Sequence, residues 1–190
     1  MIRKLASITA AALAASLLQG CFPLAITGVG TAALMATDRR TSGTYIEDET
    51  IEWKVFGRLR EGFPGAHVNA TSYNRRVLLT GEAPNEEAKK KVEEAVRSIE
   101  NVKEVTNELA IAGASSLASR GNDSLITSNV KARMVNNGTF SPQHVKVLTE
   151  AGVVYLMGLV MQQEGDVAVD IARNTSGVGR VVKVFEYTGK

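Results

Sequence analysis

The sequence predicts an α+β protein made of two tandem copies of one α-β-β-α-β unit, each a three-stranded mixed sheet packed on two helices. Three observations carry this. A block recurs from position 67 to position 144: His67-Val68 returns as His144-Val145, and Val77, Leu79 and Gly81 return as Val154, Leu156 and Gly158, without a gap. Ahead of each block, apolar residues recur every fourth position, Ile51/Val55/Leu59 and Ile126/Val130/Met134, the spacing of a buried helix stripe. Behind each block, a second helical pattern leads into a Val-rich strand.

The elements follow in order. Arg3 and Lys4 precede an uncharged apolar stretch over residues 5–18 and then small or polar residues, which is the layout of a secretory signal over residues 1–20. The run Leu17-Leu18-Gln19-Gly20-Cys21 resembles the lipobox of bacterial lipoproteins, in which the cysteine is acylated after the preceding peptide is removed. Cys21 is the only cysteine, so no intrachain disulfide forms and an acyl-acceptor role fits it. The competing reading is an uncleaved membrane helix, since no charge appears between Leu5 and Thr37. Gly20, Pro23, Gly28 and Gly30 would interrupt such a helix.

Residues 21–44, rich in Ala, Gly and Thr and then polar at Asp38-Arg39-Arg40, read as a lipidated tether. The first domain is expected over residues 45–111, a linker over 112–120 and the second domain over 121–190. In the first, residues 68–73 and 77–80 read as strands around a tight turn at Asn74-Arg75. In the second, residues 145–149 and 153–157 flank Ala151-Gly152, where glycine supplies the positive φ of a hairpin. The next helices span residues 86–99 and 162–175, and Gly177 suits a left-handed cap. Closing strands are expected over 102–110 and 178–187. Gly81 and Gly158 read as positions where a side chain would clash with the packed helix.

Composition narrows the function. Loss of Arg3 and Lys4 leaves 20 basic residues of the original 22, against 20 acidic ones, so the mature chain is neutral and nothing favours nucleic acid. Catalysis has little to draw on: the folded part lacks cysteine, and His67 and His144 each read as structural at a strand start. With no carboxylate or cysteine at ligand spacing from either histidine, no metal and no cofactor is expected. Gly28-Val29-Gly30 does not lie between a strand and a helix, which removes a phosphate-loop reading. No enzymatic activity is expected.

On a wheel of the segment 124–135, Ile126, Val130 and Met134 turn inward while Leu125, Ser128, Lys131, Ala132 and Val135 point away. On the residues alone, packing of Leu125 and Val135 against the other domain or the linker is the preferred reading. Shallow insertion into lipid headgroups is the alternative. Trp53 and Phe56 also face outward, as a second lipid contact or, by preference, the seam between the domains. Residues 45–110 carry 10 basic and 13 acidic side chains and residues 120–190 carry 8 and 6, so only the second unit is drawn to anionic surfaces.

The repeated unit, with Leu79-Thr80-Gly81 and Leu156-Met157-Gly158 ending its second strand, resembles the BON domain. Ala36-Thr37-Asp38-Arg39, Val153 to Val160 with its Tyr155-Leu156-Met157-Gly158 core, and Ser176-Gly177-Val178 extend the likeness over nearly the whole mature chain. Two BON domains behind a lipobox resemble outer-membrane lipoproteins of that family. The resemblance implies binding of anionic phospholipid, such as phosphatidylglycerol, through the second domain's first helix. It also implies a place on the periplasmic face of the outer membrane, where Phe22 rather than Asp after Cys21 agrees with outer-membrane sorting. Enrichment at division sites and support of envelope integrity and protein assembly are implied as well. The likeness departs at Leu125, where the family member compared carries Trp, an interfacial anchor. The alternative function is a protein-interaction module that assists outer-membrane protein assembly, using the Trp53/Phe56 surface or free strand edges.

Overall fold

Helix α1 (Ser42–Gly62) opens the folded part, its first turn capped by Thr41 Oγ1, which accepts from the Thr44 amide at 3.1 Å. The computed structural model describes residues 38–63 and 66–189, which group as one compact unit. α1 buries Asp48, Ile51, Val55 and Leu59, the stripe expected from its four-residue spacing plus one charged residue. Strands β1 (His67–Tyr73) and β2 (Arg76–Ala83) form an antiparallel hairpin. Its turn residues Asn74 and Arg75 both have positive φ, 53° and 66°, the backbone twist that matches two-residue hairpins. Helix α2 (Glu86–Arg97) starts on Asn85, whose side chain accepts from the Ala88 amide at 2.8 Å. Glu86 and Glu87 lie in its first turn and Arg97 in its last, both favourable to the helix dipole. β3 (Glu104–Asn107) and β4 (Ala110–Ile111) then pair parallel with β2.

The second half repeats the plan. Helix α3 (Leu117–Asn137) ends on Gly138 at φ 69°, and a short 3-10 turn (Pro142–His144) leads to β5 (Lys146–Glu150). β5 pairs antiparallel with β6 (Val153–Val160) around Ala151 and Gly152, at φ 49° and 73°. Helix α4 (Gln162–Arg173) crosses to β7 (Arg180–Tyr187), parallel to β6. The strand orders β1-β2-β3 and β5-β6-β7 place the repeat's second strand at the centre of each mixed sheet.

Alternation along those central strands produces three cores rather than two. Val77, Leu79 and Ala83 point to α1 and α2 and join Ile51, Val55, Val92 and Val96. Val154, Leu156 and Val160 point to α3 and α4 and join Ile126, Val130, Met134 and Ala172. The opposite faces meet each other: Tyr73 and Leu78 of the first sheet pack with Tyr155, Met157 and Leu159 of the second. Each central strand is thus buried on both faces, the pattern of strands covered on both sides. Polar pairs rim the seam, with Asn74 Nδ2 donating to Glu186 at 2.8 Å and Lys146 Nζ to Glu52 at 3.1 Å.

Four expectations are corrected. The seam runs through the sheet faces, because Trp53 and Phe56 are 67% and 59% exposed and meet each other edge-on instead. The expected tether ends early: Asp38, Arg39 and Arg40 are half-buried and α1 begins at Ser42. α3 begins at Leu117, within the expected linker, since Ser116 caps it through the Ser119 amide at 3.2 Å. The first domain's closing strand breaks between β3 and β4, where the Asn107 side chain accepts from the Leu109 amide at 3.2 Å and bends the chain.

The glycine expectation changes in its cause. A side chain at Gly81 or Gly158 would meet the carbonyl oxygen of His67 or His144 at 2.1 and 2.2 Å. The obstacle is neighbouring backbone, at the start of β1 for Gly81 and in the 3-10 turn before β5 for Gly158, not a packed α-helix, and Gly81 also sits at φ +107°.

Candidate functional site

The outward side of α3 gathers the expected contact residues. Leu125 and Val135 are 65% and 62% exposed, and Ser128, Lys131 and Ala132 are exposed with them. Because α3 starts early, Leu117, 83% exposed, joins the same stripe two turns before Leu125. At about 100° per residue, Leu117, Leu125, Ala132 and Val135 cover one quarter of the helix circumference, opposite Ile126, Val130 and Met134. The first domain leaves this side uncovered. Ser128 Oγ donates to the Ser124 carbonyl at 2.9 Å and Ser124 Oγ to that of Arg120 at 3.0 Å, so these hydroxyls are satisfied inside the helix. Among the described residues, no carboxylate forms an ion pair with Lys131. The surface therefore carries exposed apolar side chains, interspersed with Ser124 and Ser128 whose hydroxyls are bonded within the helix, with an available cation beside it.

A second exposed apolar group lies on α1, where Trp53 and Phe56 are accompanied by Ile46, 61% exposed. Glu49 and Arg60 stand exposed on the same helix, so this surface carries both charge signs. Among the described residues, no helix is long and apolar enough to cross a membrane. Cys21 and the signal lie outside the described residues.

Two adjacent arginines fasten the entry of the chain to both domains. Arg39 grips Glu164 of the second domain through paired contacts at 2.5 and 2.8 Å and donates to the Leu159 carbonyl at 3.0 Å. Arg40 binds Asp48 of the first domain at 2.8 Å and Asp38 at 2.7 Å, with its guanidinium 4.0 Å over the Tyr73 ring. Burial would raise the Glu164 carboxyl above its ordinary range. The Arg39 side chain, the Met161 amide and His144 outweigh it and hold the acid below that range.

Sequence reasoning passed over Asp48 and Asp123, which occupy matching places in the two first helices. Asp48 accepts from the Asn74 and Arg75 amides at 2.8 and 2.7 Å and from Ser72 Oγ at 2.6 Å. Asp123 accepts from the Ala151 and Gly152 amides, both at 2.9 Å. Each hairpin turn thus directs its paired N–H groups at a helix carboxylate, which satisfies donors that burial would otherwise orphan. The signal was available as an Asp three residues before each stripe, Asp48 before Ile51 and Asp123 before Ile126.

The histidines are not isolated from carboxylates, contrary to expectation. His67 Nδ1 lies 2.8 Å from Glu82, its cross-strand neighbour, and His144 Nδ1 lies 3.3 Å from Glu164. Glu82 stands 15 residues on and Glu164 stands 20 residues on, brought close only by folding.

Two repeated α-β-β-α-β units stacked through their sheets define the class. The BON-domain model matches residues 47–113 and 122–189, and the chain belongs to the BON-domain family. Outer membrane lipoprotein DolP of Haemophilus influenzae is 41% identical over 189 residues, covering 98% of this chain and 96% of that protein. The 21 kDa hemolysin of Actinobacillus pleuropneumoniae is 33% identical over 153 residues, 79% of each chain. Osmotically-inducible protein Y of Escherichia coli is 27% identical over 144 residues, 73% of this chain and 72% of that one. The chain is a dual-BON, DolP-like protein, a homologue of an outer-membrane lipoprotein of the cell envelope.

Proposed function

We propose that this chain is a lipid-anchored protein on the periplasmic face of the outer membrane that docks its second domain on anionic phospholipid and catalyses no reaction. The observation that carries the reading is the exposed stripe Leu117, Leu125, Ala132 and Val135 on α3, flanked by Lys131 and left open by the first domain. Such a helix lies in the plane of the headgroups, apolar side down, and the second domain's excess of basic over acidic residues adds attraction to an anionic leaflet. Ser128 sits between the apolar residues with its hydroxyl already bonded, so insertion leaves no new unsatisfied donor there. Attachment at Cys21 concentrates α3 at the membrane, so a modest intrinsic affinity suffices. Docking of this kind supports envelope integrity, and concentration at division sites follows if anionic lipid is enriched there. Liposome co-sedimentation with and without phosphatidylglycerol tests it: binding is expected only to the anionic vesicles, and equal, negligible binding to both removes the reading.

A second reading is favoured by one observation, the Trp53–Phe56 pair with ring centroids 6.3 Å apart on an exposed helix surface. Exposed aromatics are common anchors in protein interfaces. In that reading the chain assists outer-membrane protein assembly through α1. Crosslinking in cells to an envelope protein that persists in Leu125→Glu and Lys131→Glu variants favours it.

A further inference from the structure

His67, Glu82 and Glu150 bring one imidazole nitrogen and two carboxylate oxygens within 4.8 Å of one another. The three come from both domains: His67 on β1 and Glu82 on β2 are directly opposed, and Glu150 closes β5 across the seam. Glu82 is buried, at 5% exposure. Asn69 Nδ2 donates to Glu150 at 2.9 Å and holds that carboxylate toward the seam.

The two halves of the molecule differ here in a telling way. In the second domain the position matching Glu82 is Leu159, and His144 meets instead Glu164 of α4, which a cation of the protein's own, the Arg39 guanidinium, closes. In the first domain the His67–Glu82 pair meets a second carboxylate instead. Among the described residues, no Lys or Arg forms an ion pair with Glu82 or Glu150. Three cations line the surrounding clefts, Arg120 on one and Lys89 and Arg180 on the other, but their nearest partners are Ser115, Leu109 and Glu108, and none makes an ion pair with Glu82 or Glu150. Two carboxylates facing one imidazole, with clefts of about 520 and 300 Å³ that both reach Glu150, have no directly paired cation among the described residues and have room to admit one.

We propose that His67, Glu82 and Glu150 form a divalent transition-metal site that ties the two domains together. One imidazole and two carboxylates suit zinc and its first-row neighbours, with water completing the coordination from the clefts. A dication balances the two carboxylates and takes the Nδ1 lone pair of His67 in the tautomer protonated at Nε2. The proton that Nδ1 shares with Glu82 is released to solvent as Nε2 takes one up, and the hydrogen bond is replaced by the two metal bonds. Glu150 is the only ligand from the second domain, so it alone makes the metal a bridge.

The full-length lipidated chain, purified in detergent and freed of metal with a chelator that is then removed, is titrated with zinc chloride by calorimetry and with cobalt(II) chloride by visible absorption. One metal per chain is expected, with a zinc-dependent rise in melting temperature, as ligand binding to the folded state requires. Glu150→Gln, at a partly exposed strand end and expected to keep the parent's circular dichroism spectrum, is expected to weaken zinc binding roughly tenfold or more, as is His67→Gln. His144→Gln is expected to leave it unchanged. Absence of zinc binding, binding that Glu150→Gln leaves intact, or an equal loss in His144→Gln overturns the site.

Discussion

Asp48 and Asp123 serve one purpose in both halves, holding a left-handed hairpin turn against a helix through its paired amides. Gly81 and Gly158 serve another, letting the central strand lie against the carbonyl of His67 or His144 in the chain before it. Gly158→Val places a branched side chain where its first carbon already falls 2.2 Å from the His144 oxygen. Overpacking of this kind costs about 3 kcal/mol or more, so the melting temperature is expected to fall by roughly 6–12 °C. A thermal melt superimposable on that of the parent chain contradicts the geometry.

Glu164 gives a prediction with a pH signature. Its folded carboxyl titrates below the ordinary 4.5 because Arg39, Met161 and His144 outweigh burial. A lowered folded pKa adds stability above the unfolded pKa and loses it as pH falls through the folded value. Glu164→Gln is therefore expected to destabilise the protein at neutral pH, with the difference from the parent closing as pH falls below 4.5 and through the lower folded value. Urea melts across that window check it, and a constant difference at every pH contradicts it.

At the scale of the element, α3 decides the proposed lipid contact. Leu125→Trp places an interfacial aromatic on a residue already 65% exposed and is expected to strengthen binding to anionic vesicles roughly threefold. Leu125→Glu is expected to weaken it roughly tenfold. Vesicle titration measures both, and indifference to both substitutions contradicts a contact there. The helices and hairpins were legible because apolar spacing of four and of two marks a buried face directly. Their ends were less so. Ser116 and Ser42 read as linker and tether because polar composition alone does not separate a helix's capped first turn from a loop, and this concealed Leu117 as part of the exposed stripe.

At the scale of the whole molecule, the seam was written in β6, whose Val153, Tyr155, Met157 and Leu159 are as apolar as the residues between them. A sheet covered by helices on one face needs no such residues on the other. The signal was obscured in the first domain, where Thr80 and Glu82 occupy the seam face of β2. The outward aromatics Trp53 and Phe56 therefore offered a more conspicuous, and incorrect, seam. The His67–Glu82–Glu150 grouping was illegible for another reason, since its members come from both repeats and meet only after docking. With the third core shared and Arg39 and Arg40 gripping a domain each, the halves are expected to unfold together. Differential scanning calorimetry should record one transition whose calorimetric and van't Hoff enthalpies agree, and two resolved transitions contradict a shared seam.

The central claim is that the docked pair of domains presents α3, and not α1, to anionic membrane. Hydrogen–deuterium exchange of the chain, on vesicles with and without phosphatidylglycerol, tests it most directly. Slower exchange confined to Leu117–Asn137 on the anionic vesicles is the result expected, and protection that appears at α1 with α3 unchanged contradicts the account.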